Sequence, residues 1–144
     1  MARFDGGCHC GRVRVAFETQ SPEKLALRSC LCSFCRRHGA RNVSDPGGFL
    51  AIGAPGGGFH RYRFGRKGID MLLCANCGTY VAAVAEIEGA LYATLNLIGA
   101  DIRGLVLGTV EPVDYDNETD AARLARRRAK WTPASLTETA SPDA

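Results

Sequence analysis

Seven cysteines fall into three tight clusters, Cys8-His9-Cys10, Cys30-Leu31-Cys32-Ser33-Phe34-Cys35 and Cys74-Ala75-Asn76-Cys77-Gly78. A disulfide framework spreads its cysteines over separate elements, and an odd number cannot all pair within one chain. Clustered thiols suit a metal ion instead. Zinc takes four such donors in a tetrahedron, with sulfur at about 2.3 Å. Two cysteines separated by two residues reach one ion from a knuckle, and a CxC pair does so from a sharper turn. Gly6, Gly7 and Gly11 flank the CxC and permit that turn. Pairing Cys8 and Cys10 with Cys74 and Cys77 would complete a closed four-thiolate site, a staple between residues far apart in sequence.

The remaining cluster, Cys30, Cys32 and Cys35, supplies three thiolates and no obvious fourth donor. Three protein ligands with one open position is the arrangement of catalytic zinc, and a thiol that binds there loses its proton. Arg36 and Arg37 follow directly; they are expected to offset the negative charge and to hold an anionic ligand. His38 is a candidate general base or fourth ligand. Competing readings stay open at this level. The cluster could be a structural site closed by His38 or by another residue. A redox reading of Cys74-x-x-Cys77 would need a helix within a βαβ unit, whereas strands flank it here. A rubredoxin-type iron site wants two matched knuckles, which the CxC does not provide. His9 reads as a spacer and His60 as a solvent-facing strand position. Arg126-Arg127-Arg128 reads as a solvated helix face.

The elements that must position these thiols read mainly as strands. Val13, Val15 and Phe17 alternate with polar positions, the period of a half-buried strand. Leu25–Cys30 runs as a second strand into the CxCxxC, and residues 36–40 form a turn or short helical turn. Phe49–Ile52 and Phe59–Phe64 are further strands, the aromatics of the latter expected to face the core. Ile69–Leu73 and Tyr80–Ile87 flank the late CxxC as the hairpin of a zinc ribbon. Leu91–Leu97 and Leu105–Val113 add two more. Asn117 or Thr119 caps a helix over Asp120–Lys130, acidic early and basic late as the helix dipole favours. Its apolar face is thin, with Leu124 and alanines, and Trp131 is the expected anchor. The fold class is therefore mainly β, small antiparallel sheets with a short C-terminal helix. A single zinc-binding domain is expected over residues 1–131, and a disordered Pro/Ser/Thr-rich tail over 132–144.

At 144 residues the chain is long enough to bury one core, and 46% of it is hydrophobic. No apolar stretch approaches the roughly 20 residues needed to span a bilayer, and Met1–Gly7 lacks a signal-peptide core. A cytoplasmic protein with no membrane partner is the expectation. A net charge of +3 is too mild to point to nucleic acid.

The clusters occur in an order that resembles the glutathione-dependent formaldehyde-activating enzyme family. The likeness is carried by Gly7-Cys8-His9-Cys10-Gly11-x-Val13, Cys30-x-Cys32-Ser33-x-Cys35-Arg36-Arg37-x-Gly39-Ala40 and Cys74-x-x-Cys77-Gly78, with Gly53, Pro55, Phe59 and Tyr62 between them. It covers about residues 4–100. Leu31 stands where a histidine is often found. The resemblance implies a β-tent fold related to zinc ribbons and two zinc ions per chain. One would be structural, on Cys8, Cys10, Cys74 and Cys77; the other would sit on Cys30, Cys32 and Cys35. The implied activity is that of a carbon–sulfur lyase condensing formaldehyde or a related small aldehyde with glutathione to S-hydroxymethylglutathione. Its partners would be a small thiol and a small aldehyde. The alternative is a non-catalytic zinc module, a thiol or glutathione carrier or an adaptor for protein or nucleic acid.

Overall fold

The computed structural model describes residues 1–55, 58–65, 68–105 and 110–138. Alternation in the sequence becomes a sheet from the first hairpin onward. Strand β1 (Ala2–Gly7) pairs antiparallel with β2 (Arg14–Thr19), and β2 with β5 (Phe49–Gly53). Val15, Phe17 and Thr19 of β2 and Leu50 and Ile52 of β5 point inward, as period-two patterning requires. Strand β3 (Leu27–Cys30), helix α1 (Ser33–His38) and the two-residue β4 (Asn42–Val43) lie between them in sequence. The later part is a meander: β6 (Phe59–Tyr62), β7 (Asp70–Cys74), β8 (Tyr80–Ile87) and β9 (Ala90–Asn96), each antiparallel to the next. Strand β8 is buried at seven of its eight positions because it carries core on both faces. That explains its almost unbroken apolar run.

The protein is mainly β, but its strands form one mixed sheet rather than small antiparallel ones. The order is β1-β2-β5-β11-β9-β4-β3-β10, with β8, β7 and β6 branching from β9, eleven strands among the described residues. Strand β10 (Val110–Val113) runs parallel to β3, and β11 (Thr132–Thr137) parallel to β5. Parallel pairing needs a long crossover. Both pairs join segments dozens of residues apart, so the chain has the length to return in the same direction. Of the expected strand Leu105–Val113, residues 106–109 lie outside the described residues.

Strand β11 also corrects the expected tail. Thr132 is buried, and its Oγ1 accepts a hydrogen bond from the Asp45 backbone N–H at 2.8 Å. Ala134 and Leu136 pack on the main core from alternate positions. Composition reads this stretch as polar, while its period of two, Thr132, Ala134, Leu136, is what burial follows. The last residues, 139–144, lie outside the described residues.

Helix α2 (Asp120–Lys130) spans the expected residues. The Thr119 hydroxyl caps it, accepting from the Ala122 N–H at 3.1 Å. Its buried face is not the expected one, however: Leu124 is 46% exposed, and the helix turns Arg127 inward beside buried Trp131. Among the described residues no helix is long and apolar enough to cross a membrane.

Candidate metal centres and the adjoining cavity

The first thiol set is assembled by two tight turns. Cys8 and Cys10 sit between β1 and β2, where Gly11 takes φ +84°; Cys74 ends β7, and Gly78 takes φ +79° before β8. Those left-handed angles favour glycine. A side chain on Gly7 would run into the Val13 carbonyl, so the CxC turn can close only over glycine there. The sulfurs of Cys8, Cys10, Cys74 and Cys77 lie within 4.8 Å of one another. Cys8 and Cys10 are 3.7 Å apart, and Cys10 and Cys74 3.6 Å. A tetrahedral thiolate site with metal–sulfur bonds near 2.3 Å has sulfur–sulfur edges of about 3.8 Å. The donor set fits a metal ion. Backbone N–H groups already serve these sulfurs: Val13 donates to Cys8 at 3.2 Å, and Asn76 and Cys77 donate to Cys74 at 3.4 and 3.5 Å.

The protonation balance of this set is mixed. Burial lifts the Cys8 thiol to about 11, whereas the Asn76 side chain brings Cys10 down. At Cys77 burial acts upward but is outweighed by hydrogen bonds from the Thr79 hydroxyl and from backbone N–H groups, and the thiol falls to about 5. Cys77 is thus disposed to be a thiolate at neutral pH, and Cys10 is shifted in the same direction.

Cys30 ends β3, Cys32 caps α1 through its sulfur, which accepts from the Cys35 N–H at 3.4 Å, and Cys35 lies in the first turn. Their sulfurs also lie within 4.8 Å of one another, and among the described residues no histidine or carboxylate joins them. Cys30 and Cys35 both shift upward here. The hydrogen bond with Cys32 raises Cys30, and contacts with Cys30 and Cys32, then burial, push Cys35 far up. Three thiols crowded this closely resist losing protons together, and a divalent cation relieves that repulsion. The set can hold a metal with three protein donors.

A cavity of about 60 Å³ opens beside these three thiols. Its lining shows where sequence reasoning missed. Arg36 and Arg37 do not line it; Arg36 donates to the Leu31 carbonyl at 2.9 Å and Arg37 is exposed. His38 is exposed as well and stacks on Phe34 with ring centroids 4.3 Å apart, on the other side of the helix turn. The cavity is instead faced by Arg28, Arg123, Arg126 and Arg127, with Asn42, Tyr80, Tyr115 and Trp131. The expectation that Arg126-Arg127-Arg128 forms a solvated face therefore holds only for Arg128, which is exposed and pairs with Glu88. Arg127 is 3% exposed, and burial followed by the neighbouring Arg126 and Arg123 charges lowers it to about 10. The signal was present: 123, 126 and 127 share the i, i+3, i+4 spacing of a docking face, normally filled by apolar residues. Glu118 holds that face, accepting from Arg126 at 2.8 and 2.9 Å, and Arg126 also lies 3.6 Å over the Tyr115 ring.

Two buried polar atoms on the cavity wall have no hydrogen-bond partner, Tyr80 Oη and Asn42 Oδ1. Tyr80 is 2% and Asn42 6% exposed. Burial, then the charges of Cys35, Cys30 and Cys32, keeps the Tyr80 hydroxyl protonated well above its ordinary value. Of the aromatics expected to face the core, Phe59 and Phe64 pack against it, whereas Tyr62 is exposed and stacks on Phe34 and Phe64.

No family model matches the chain. A crystal structure of a Rhodobacter sphaeroides protein, a structural genomics target, is similar at 25% sequence identity and a TM-score of 0.50. The likeness covers 76% of this chain and 99% of that one. It bears on the architecture.

Proposed function

We propose that the protein is a zinc-dependent carbon–sulfur lyase that makes and breaks the bond between a small thiol and the carbon of a small aldehyde, as the formaldehyde-activating enzymes it resembles do with glutathione. One observation carries this reading: the three-thiol set offers only three sulfurs and opens on a cavity lined by arginines, Asn42 and Tyr80, whereas the four-thiol set has a full tetrahedron of sulfurs, although Cys8 also borders a separate cleft. Zinc is the metal that thiolate-only tetrahedral sites favour, and the two sets give two ions per chain. Cys8, Cys10, Cys74 and Cys77 hold the structural one; Cys30, Cys32 and Cys35 hold the other. Bound there, zinc supplies Lewis acidity and a position at which a thiol is held as its thiolate.

The chain's own residues do the rest. The cavity shelters the reacting atoms, and the buried Tyr80 hydroxyl, kept protonated, is a hydrogen-bond donor for an aldehyde oxygen. Asn42 steadies the Cys35 sulfur through Nδ2, 3.8 Å away, and leaves its Oδ1 for a hydroxyl formed on the product. Arg28 and the α2 arginines set a positive field against the negative charge of three thiolates on a divalent ion.

The test is Cys32→Ser, with zinc per chain and the rate of thiol–aldehyde adduct formation measured together. The expected result is one zinc lost and turnover reduced about 100-fold or more. Unchanged turnover with one zinc missing would remove the catalytic role, and thiol binding without turnover in the native chain would make it a carrier.

A further inference from the structure

We propose that the cavity selects a carboxylate-bearing aldehyde, the two-carbon 2-oxo acid, with Arg28 as the anchor of its carboxylate. The inference rests on the three-thiol set being an open metal site, as proposed above, and specifies what enters it. Three features lead to it. The first is register. Arg28 and Asn42 are direct cross-strand partners of β3 and β4, so a guanidinium and an amide face the cavity side by side.

The second is charge. Arg126 is bonded by Glu118 and Arg123 pairs with Asp120, whereas the bonds of Arg28 go to the neutral hydroxyls of Ser44 and Thr94 at 2.7 and 2.9 Å. A half-buried guanidinium whose partners among the described residues are hydroxyls retains its full attraction for an anion. Further cations on the same wall, Arg127 among them, add to that attraction. A neutral aldehyde would leave it unused.

The third is the pair of unpartnered atoms. Buried polar groups ordinarily have partners, and here Tyr80 Oη and Asn42 Oδ1 both lack one among the described residues. A hydroxyl donor and an amide acceptor together match one oxygen that is a carbonyl before reaction and a hydroxyl after it. Size agrees. About 60 Å³ takes roughly four to six water-sized groups, the scale of a two-carbon oxo acid and far less than a tripeptide. The body of a larger thiol stays outside, with only its sulfur reaching in.

The step balances without a redox partner. The thiol sulfur bonds to the aldehyde carbon, the carbonyl π pair moves to oxygen, and the proton released by the thiol ends on that oxygen. The carboxylate keeps its charge throughout, and the reverse reaction returns thiol and oxo acid.

Glycolate, the unreactive hydroxy acid, tests this without turnover. Trp131 is the chain's single tryptophan and lines the cavity, so its fluorescence reports occupancy in the zinc-loaded full chain. Glycolate should shift it saturably, and neutral ethylene glycol should bind at least about tenfold more weakly. Arg28→Met should weaken glycolate by at least about tenfold, with Arg28→Lys recovering part of the loss. Should Arg28→Met fail to fold, Arg28→Lys and Tyr80→Phe carry the test, each weakening glycolate in a chain whose circular dichroism is unchanged. No saturable shift, or equal affinity for glycolate and ethylene glycol, overturns the proposal. So does affinity untouched by these substitutions. Glycolate binding in a chain with no thiol–aldehyde turnover would sink the lyase reading alone. Formaldehyde turnover in a chain indifferent to glycolate would sink this one alone.

Discussion

The two thiol sets use the same side chain and reach opposite ends. The four-thiol set draws on two turns, Cys74 lying 64 positions after Cys10, and its sulfurs are served by backbone N–H groups. The three-thiol set draws on one strand end and one helix start within six residues, and its walls are side chains: Arg28, Asn42, Tyr80 and the face of α2. A closed site built from distant segments ties the fold together. An open site built from one segment contributes little to the tie and leaves a coordination position and a cavity free for chemistry. Position in the chain, more than donor type, separates the two roles.

The largest expected effect breaks the first site. Cross-linking a loop of that length removes unfolded-chain entropy worth about 4 kcal/mol, and a structural zinc adds its own binding energy. Against a net stability of about 5–15 kcal/mol, Cys74→Ser should leave the chain largely unfolded or strongly destabilised at 37 °C. Thermal melts followed by circular dichroism read this directly. Cys35→Ser should melt within several degrees of the native chain while losing one zinc. Equal destabilisation by the two substitutions would erase the distinction between staple and open site.

Acid sharpens the contrast next. Zinc must displace protons from thiols; the four-thiol set offers two lowered thiols, Cys10 and Cys77 (to about 5), beside Cys8 raised to about 11, whereas Cys30 and Cys35 of the three-thiol set are both raised. As pH falls, protons compete more successfully at the three-thiol set. Titrating holoprotein from pH 8 downward with a chromogenic chelator should release zinc in two steps, the first equal to one ion and silent in far-UV circular dichroism. The second should coincide with unfolding. A single step would mean the two sites are coupled.

How much of this was legible in the sequence differs between the two sites in the same way. Donor spacing names ligands, so all seven cysteines could be grouped before any fold was known, and the structure brings together both sets as grouped. Alternation likewise marked β2 and β6, and apolar stretches marked β5, β7, β8 and β9. The walls of the cavity were not legible, because they come from register and crossover, not from neighbours in sequence. Arg36 and Arg37 are adjacent to Cys35 but turn away from the cavity, while Arg28 reaches it from β3 and Arg127 from a helix over ninety residues later. Reading α2 by hydrophobicity hid its docking face, since the residues at docking spacing are arginines. Strand β11 was hidden by composition, its Thr132 and Ser135 suggesting solvent where alternation placed Ala134 and Leu136 against the core.

The smallest expected effect concerns that arginine face. Glu118 accepts from Arg126 at 2.8 and 2.9 Å and ties the segment before α2 to the helix face that lines the cavity. The Arg126 hydrogen bonds keep the Glu118 carboxyl below its ordinary value of 4.5. A carboxyl lowered by folding stabilises the native state above its unfolded value, and that contribution is lost as pH falls through the native one. Glu118→Gln should therefore cost about 1 kcal/mol or less at pH 7, since both partners are partly solvated. The difference from the native chain should shrink as pH drops below 4.5 and vanish once the native carboxyl is protonated. Denaturant melts at pH 7 and near pH 3.5 measure both quantities. Because Arg126 also lies over Tyr115, the helix should stay docked, so the substitution should alter Trp131 fluorescence while leaving the four-thiol zinc bound. Loss of that zinc in Glu118→Gln would show that the helix supports both sites, and the division of labour between them would fail at its weakest link.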